Sequence, residues 1–179
     1  APAVTFQGYL FGNPAQDGTF SGPGITDNGN GTAIFNPVTA GVGGPYTIIY
    51  SNTIPGTTCN YSVSQNVTVN ALPTATITGN TTVCLNAASP AITFTGASGS
   101  APYTFTYNIN GGPNQTVTTT TGNSATVTVP TTTAGTFTYN LISVQEGSAN
   151  FCNQAQIGSA VVIVNPLPTA SISGDNEVC

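Results

Sequence analysis

The chain has 179 residues, with no Lys, Arg or His and only five acids, for a net charge of −5. With no cationic side chain it has nothing to hold a phosphate backbone or an anionic lipid surface, which excludes nucleic-acid binding and basic membrane anchoring. Globular domains carry about a quarter charged residues; here Thr, Asn, Ser and Gly must face the solvent around a core drawn from the 39% hydrophobic content.

In chain order the sequence predicts strands throughout. Ala3-Val4-Thr5-Phe6 alternates and stops at Gly8. Gly18-Thr19-Phe20-Ser21 is short and runs into the turn Gly22-Pro23-Gly24. Asp27-Asn28-Gly29-Asn30-Gly31 predicts another turn, feeding Thr32-Ala33-Ile34-Phe35. Tyr46, Ile48 and Tyr50 share one face of the next strand, and Val63, Val67 and Val69 share a parity after a loop holding Pro55, Gly56 and Cys59. Beyond residue 70 the alternation is cleaner. Ile92 and Phe94 oppose Thr93 and Thr95, and Tyr103, Phe105, Tyr107 and Ile109 oppose Thr104, Thr106 and Asn108. Asn110-Gly111-Gly112 reads as a hairpin turn. Val127 and Val129, then Phe137, Tyr139 and Leu141, then Ala160 to Val164 complete the set. No segment carries a helical period.

One stretch occurs twice. Leu72-Pro73-Thr74-Ala75-Thr76-Ile77-Thr78-Gly79-Asn80-Thr81-Thr82-Val83-Cys84 returns 95 residues later as Leu167-Pro168-Thr169-Ala170-Ser171-Ile172-Ser173-Gly174-Asp175-Asn176-Glu177-Val178-Cys179. Val69-Asn70 and Val164-Asn165 extend the match without a gap. A fixed period of this size marks a tandem array of small domains. Leu72, Pro73, Leu167 and Pro168 are then domain junctions, and the expected units are 1–70, 71–166 and 167–179. About seven strands in each ~90 residues, joined by Gly, Pro and Asn turns, predict an all-β fold of antiparallel β-sandwiches in a linear array. Ala1 to Gly8 aligns with Ser89 to Gly96, so the first unit lacks a counterpart of 73–88, and 168–179 is that segment standing after the second. The expectation is that the edge near Val4 is filled by a preceding segment of this type. Residues 168–179 are expected to project beyond the second sandwich and to belong to a following domain.

Catalysis has little to work with. Without His or Lys neither a Ser-His-Asp triad nor a Ser-Lys dyad can be assembled. Asp17, Asp27, Glu146, Asp175 and Glu177 are scattered, and only the last two are close. The residues 27–31 are oxygen-rich but lack the carboxylate count of a calcium loop. The expectation is a protein that is not an enzyme and uses no cofactor or metal. No apolar run approaches the roughly 18 residues of a membrane span. The Asn-x-Ser/Thr triplets at Asn30, Asn60, Asn66, Asn80 and Asn114 follow from the composition.

The chain has no Trp, and its cysteines stand at strand ends, unlike the strand B to strand F pair of true immunoglobulin domains. Residues 82–96, Thr-Val-Cys-Leu-Asn-Ala-Ala-Ser-Pro-Ala-Ile-Thr-Phe-Thr-Gly, with Ala-Pro-Tyr-Thr-Phe-Thr-Tyr-Asn-Ile-Asn-Gly-Gly (101–112) and Thr-Ala-Gly-Thr-Phe-Thr-Tyr-Asn-Leu (133–141), resemble immunoglobulin-like or PKD-like repeats of giant flavobacterial surface proteins. Asp17 to Thr26 and Asn36 to Gly43 resemble a second repeat type of the same proteins. The resemblance implies a cell-surface or gliding-type adhesin of Bacteroidota, exported by the type IX secretion system through a signal C-terminal to these residues.

Three functions compete. One is a stalk or filament segment whose partners are neighbouring copies, end to end. The second is an adhesive module binding surface glycan or ice through Thr-rich strand faces. The third, an enzyme, fails for want of residues. Cys59, Cys84, Cys152 and Cys179 are the disulfide candidates. Cys84 follows the first strand of its domain, and Cys152 lies in the hairpin before the last. Two pairings stand open: Cys84 with Cys152, or each across a junction with a cysteine of the neighbouring domain. Strand direction favours the second, because it puts the two cysteines of one domain at opposite ends.

Overall fold

Alternation of apolar and Thr positions builds almost the whole molecule. The computed structural model describes residues 1–10, 13–14, 17–54, 56–149 and 151–174, with the side chain of Leu10 left aside. The chain divides into two compact units, Ala1–Ala71 and Leu72–Cys179.

The first unit holds β1 (Val4–Gln7), β2 (Tyr9–Leu10), β3 (Asn13–Pro14), β4 (Thr19–Ser21), β5 (Ile25–Asp27), β6 (Thr32–Phe35), a single helical turn α1 (Pro37–Ala40), β7 (Gly43–Thr53) and β8 (Asn60–Val69). Two three-stranded sheets, ordered β1-β6-β5 and β4-β7-β8, face each other, and β2 pairs β3. Phe20, Ala33, Phe35, Ile48 and Tyr50 are buried between them. The rings of Phe20 and Tyr50 meet at 4.7 Å, a tilted contact of the kind that favours aromatic pairs. The helical turn departs from the all-strand expectation, and its cause is local. Asn36 caps it, accepting from the Val38 N–H at 2.9 Å, Pro37 opens it and Gly41 ends it. In the 27–31 turn the Asp27 carboxylate accepts from the Gly29 N–H, and the Asn30 amide oxygen accepts from Thr32. Those oxygens hold the turn itself.

The second unit holds β9 (Thr74–Thr78), β10 (Thr81–Cys84), β11 (Ala91–Ala97), β12 (Thr104–Ile109), β13 (Gln115–Thr118), β14 (Ser124–Thr128), β15 (Gly135–Gln145), β16 (Asn153–Ala155) and β17 (Ser159–Asn165). One sheet runs β14-β11-β9; the other runs β10-β17-β15-β12-β13, with β16 also on β15. Ile92 and Phe94 of the first pack on Phe105, Tyr107, Tyr139, Leu141, Val144, Val162 and Val164 of the second. Phe94 lies 5.7 Å from Phe105 and 5.1 Å from Tyr107, ring centre to ring centre. Asn110 and Gly111 both take positive φ, and the Gly112 N–H closes the turn on the Ile109 carbonyl at 2.9 Å, as a hairpin turn with two left-handed residues requires.

The sandwich is not wholly antiparallel. What reads as one first strand is two: β9 runs antiparallel to β11, while β10 crosses to the other sheet and runs parallel to β17. The crossing happens at Gly79-Asn80. Gly79 has φ of 126°, and a Cβ there would lie 2.6 Å from the Ala91 carbonyl oxygen. Asn80 then receives the Val161 N–H on its side-chain oxygen at 2.6 Å, docking the crossed strand on its new sheet.

Candidate functional site

The second unit has a distinct structure at each pole. The chain enters at Pro73, which is fully buried. Beside it the loop after β11 is tied down by Tyr103, whose hydroxyl donates to the Gly99 carbonyl at 2.6 Å and accepts from the Gly99 N–H at 3.1 Å. Glu146, just past β15, is 3% exposed. Its carboxylate accepts from the Ser100 N–H and from the Ser148 hydroxyl, each at 2.8 Å. The Gly147 N–H donates to the Ser100 carbonyl at 2.9 Å, and the Glu146 N–H to the Cys152 carbonyl at 3.1 Å. Gln156 joins in by accepting from the Ala75 N–H at 3.1 Å. The hydrogen bond from Ser100, then that from Ser148, hold the Glu146 carboxyl below its ordinary range, outweighing its burial. Burial first, and then the Glu146 carboxylate, push the Cys152 thiol up. This pole is a clamp between two loops.

At the other pole β10 and β17 end side by side, Cys84 opposite Asn165. Leu85 donates its N–H to the Asn165 carbonyl at 2.8 Å, and Asn86 donates to Thr131 at 2.9 Å. Leu167 and Pro168 follow, exposed. Leu72 is also exposed, so of the four junction residues only Pro73 is buried.

The cysteines follow this polarity. Val164, next to the end of β17, pairs with Gly135 at the start of β15; Gln145 at the end of β15 pairs with Asn153, next to Cys152. Cys84 and Cys152 therefore stand at opposite ends of β15, an 11-residue strand. At about 3.3 Å per residue that is roughly 30 Å, whereas a disulfide needs Cα atoms within about 7 Å. Cys59, exposed, precedes β8 in the β7–β8 hairpin. No disulfide joins the three described cysteines, and Cys179 lies outside the described residues.

Among the described residues the carboxylates are not brought together. Asp17 precedes β4, and its backbone carbonyl receives the Tyr50 hydroxyl at 2.6 Å and the buried Asn52 amide at 3.1 Å. Asp27 closes β5, Glu146 serves the clamp, and Asp175 and Glu177 lie outside the described residues. Among the described residues no three of His, Cys, Asp or Glu gather as metal ligands. A shallow depression of about 280 Å³ on the β7–β8 hairpin is lined by Ser51, Asn52, Thr53, Asn60, Tyr61 and Ser62, and carries no carboxylate.

Two surfaces remain. On the outer face of the β14-β11-β9 sheet, Thr126, Thr93 and Thr78 lie in one row and Ser124, Thr95 and Thr76 in the next. Thr95 and Ser124 share a hydrogen bond at 2.9 Å. In the first unit, β1 and β8 are edge strands, each paired on one side only among the described residues. Their counterparts in the second unit, β11 and β17, are covered by β9 and β10. The exposure follows: Val4 is 51% exposed where Ile92 is 0%, and Val67 and Val69 are half-buried where Val162 and Val164 are buried. Sequence reading missed Glu146 as a structural residue. Its signal was faint: a lone acid in a chain that otherwise avoids charge.

No family model matches the chain, and no curated protein matches it. Among solved structures it is similar to a calcium-stabilised adhesin with which an Antarctic bacterium reaches out and binds ice, at 17% identity and a TM-score of 0.46. The match covers 94% of this chain and 45% of that one, so the chain spans less than half of that structure's length. The calcium and the ice belong to that adhesin. Among the described residues of this chain, no helix is long and apolar enough to cross a membrane.

Proposed function

We propose that this chain is a structural segment, stalk or filament, of a long extracellular surface adhesin, giving reach, stiffness and protease resistance. The observation that carries this reading is the polarity of the second unit. Its chain enters beside Glu146 and leaves beside Cys84, at opposite ends of β15. A domain whose termini lie at opposite poles strings end to end with its neighbours without doubling back. The clamp and the filled core suit a load-bearing unit. The repeat resemblance supports the same reading and adds its finer terms: immunoglobulin-like or PKD-like units of a Bacteroidota adhesin, exported by the type IX route. A broad-specificity protease is the test. The native chain should stay intact over hours while the denatured chain is digested at once; rapid native digestion would count against a durable stalk.

A second reading rests on the Thr rows of the β14-β11-β9 sheet. Strands lie about 4.8 Å apart and alternate residues about 6.7 Å apart, so these hydroxyls form a regularly spaced array able to meet a crystalline sugar or ice. Thr also simply has high strand propensity and replaces charge on an exposed face. Retention on ice or on a glycan array, lost in Thr93→Lys, would establish the adhesive module. Equal, negligible retention of both chains fits the stalk.

A further inference from the structure

We propose that Asn30 is a site of spontaneous modification, where the folded chain converts asparagine to aspartate and isoaspartate through a cyclic imide with Gly31, ahead of its other asparagines. The ring closes when the backbone nitrogen of the following residue attacks the side-chain carbonyl carbon. Glycine in that following position favours it, because no Cβ blocks the approach. The chain has three such pairs: Asn28-Gly29, Asn30-Gly31 and Asn110-Gly111.

The structure treats the three differently. What matters is whether the attacking N–H is held, whether the departing amide nitrogen is held, and whether the carbonyl oxygen is polarised. At Asn110 the oxygen accepts from the Thr138 N–H at 2.7 Å, but both nitrogens are committed. Gly111 donates to the Asn108 side-chain oxygen at 3.2 Å, and the Asn110 amide donates to the Thr136 carbonyl at 3.2 Å. At Asn28 both nitrogens are held again. Gly29 donates to Asp27 at 3.2 Å, and the Asn28 amide donates to the Thr32 hydroxyl at 2.8 Å. At Asn30 the pattern is reversed. Among the described residues neither its amide nitrogen nor the Gly31 N–H makes a hydrogen bond. Its oxygen accepts twice, from the Thr32 N–H at 3.2 Å and the Thr32 hydroxyl at 2.6 Å. Two donors stand where negative charge develops as the nitrogen adds, which stabilises a tetrahedral intermediate. Residues 28–30 are exposed, so water and base reach the turn.

The chemistry needs only water. Base takes the Gly31 amide proton, the nitrogen bonds to Asn30 Cγ, and the Cγ–Nδ2 bond breaks, releasing ammonia with a proton from solvent. Water then opens the imide. Addition at Cγ gives aspartate; addition at the main-chain carbonyl gives isoaspartate, whose backbone is one methylene longer. Either product adds one negative charge to a turn that already holds Asp27. Isoaspartate also shifts Gly31, whose carbonyl accepts the Gly8 N–H at 2.8 Å. The inference stands on this turn alone and needs neither reading of the chain's role.

The test is ageing of the full chain in mildly alkaline buffer, native and in denaturant. Chymotryptic peptides carrying Asn28 with Asn30, and Asn110, are followed by mass spectrometry with fragmentation that resolves isoaspartate. The native chain should modify Asn30 about tenfold faster or more than Asn28 or Asn110. The denatured chain should modify all three at similar rates. Thr32→Val removes the hydroxyl that polarises Asn30 and holds Asn28. It should slow Asn30 and quicken Asn28, whereas general loosening of the turn would quicken both. Three results would overturn the proposal. One is a native chain silent at Asn30 while the denatured chain reacts there, which would mean that burial of Gly31 shields its nitrogen. Another is Asn28 or Asn110 reacting first in the native chain. The third is an Asn30 rate that Thr32→Val leaves unchanged or raises.

Discussion

Glu146 ties two loops together: its carboxylate accepts from Ser100 and from Ser148, and, after burial, it adds to the upward push on the Cys152 thiol. Because its carboxyl is held below the ordinary value of 4.5, its ionised form stabilises the fold above that pH, and this contribution is lost as pH falls through the folded value. The Tm of the native chain should therefore decline on acidification below about pH 4.5. Glu146→Gln, which keeps an acceptor for Ser100 without the charge, should be less stable near neutrality, by about 1–2 kcal/mol for charge-assisted hydrogen bonds weakened to neutral ones. Its profile across the acid range should be flatter, and the two Tm values should converge at low pH. Parallel curves would mean that the carboxylate charge contributes nothing.

At the scale of elements, the crossing of the first strand is the feature most sensitive to a single residue. Gly79 sits at φ of 126° against the Ala91 carbonyl, where any side chain meets both backbone strain and a steric block. Gly79→Val should cost about 2 kcal/mol or more, and it should weaken protection of the β10 amides before those of β9. Thermal unfolding with residue-resolved hydrogen exchange measures both. Unchanged stability would show that β10 is dispensable. The parallel β10–β17 pair has a further consequence, since it places Cys84 beside the exit of the chain. Peptide mapping of the chain oxidised at low concentration should find no Cys84–Cys152 bond, because roughly 30 Å separates them. Such a bond at appreciable yield would contradict the register of β15 with β17 and β16.

For the molecule as a whole, the two units differ in what they bury. The second encloses a continuous core from Ile92 and Phe94 through Tyr139 to Val164, while the first leaves Val4 and Val63 exposed at open edges. Apolar burial contributes about 25 cal/mol per Å², so the smaller and less covered core should be the weaker. Calorimetry should resolve two transitions, and hydrogen exchange should assign the lower one to residues 1–71. A single cooperative transition would mean that the units are coupled as one folding body.

Much was legible in the sequence because the information is local and periodic. Period-2 alternation at Tyr103 to Ile109 and Phe137 to Leu141 turns the apolar members of those strands toward the core. The Asn36-Pro37 cap was also written locally, though strand periodicity around it hid a helix of one turn. The crossing of the first strand was not legible. Alternation is the same on either sheet, and only the packing of Gly79 against Ala91, with Asn80 on Val161, decides which sheet each half joins. Nor was the clamp at Glu146, whose partners stand 46 residues back and six ahead and meet only when two loops converge. Local pattern determines which face of a strand is buried; which strands become neighbours, and which edges stay open, is a long-range choice that only the packed tertiary structure makes.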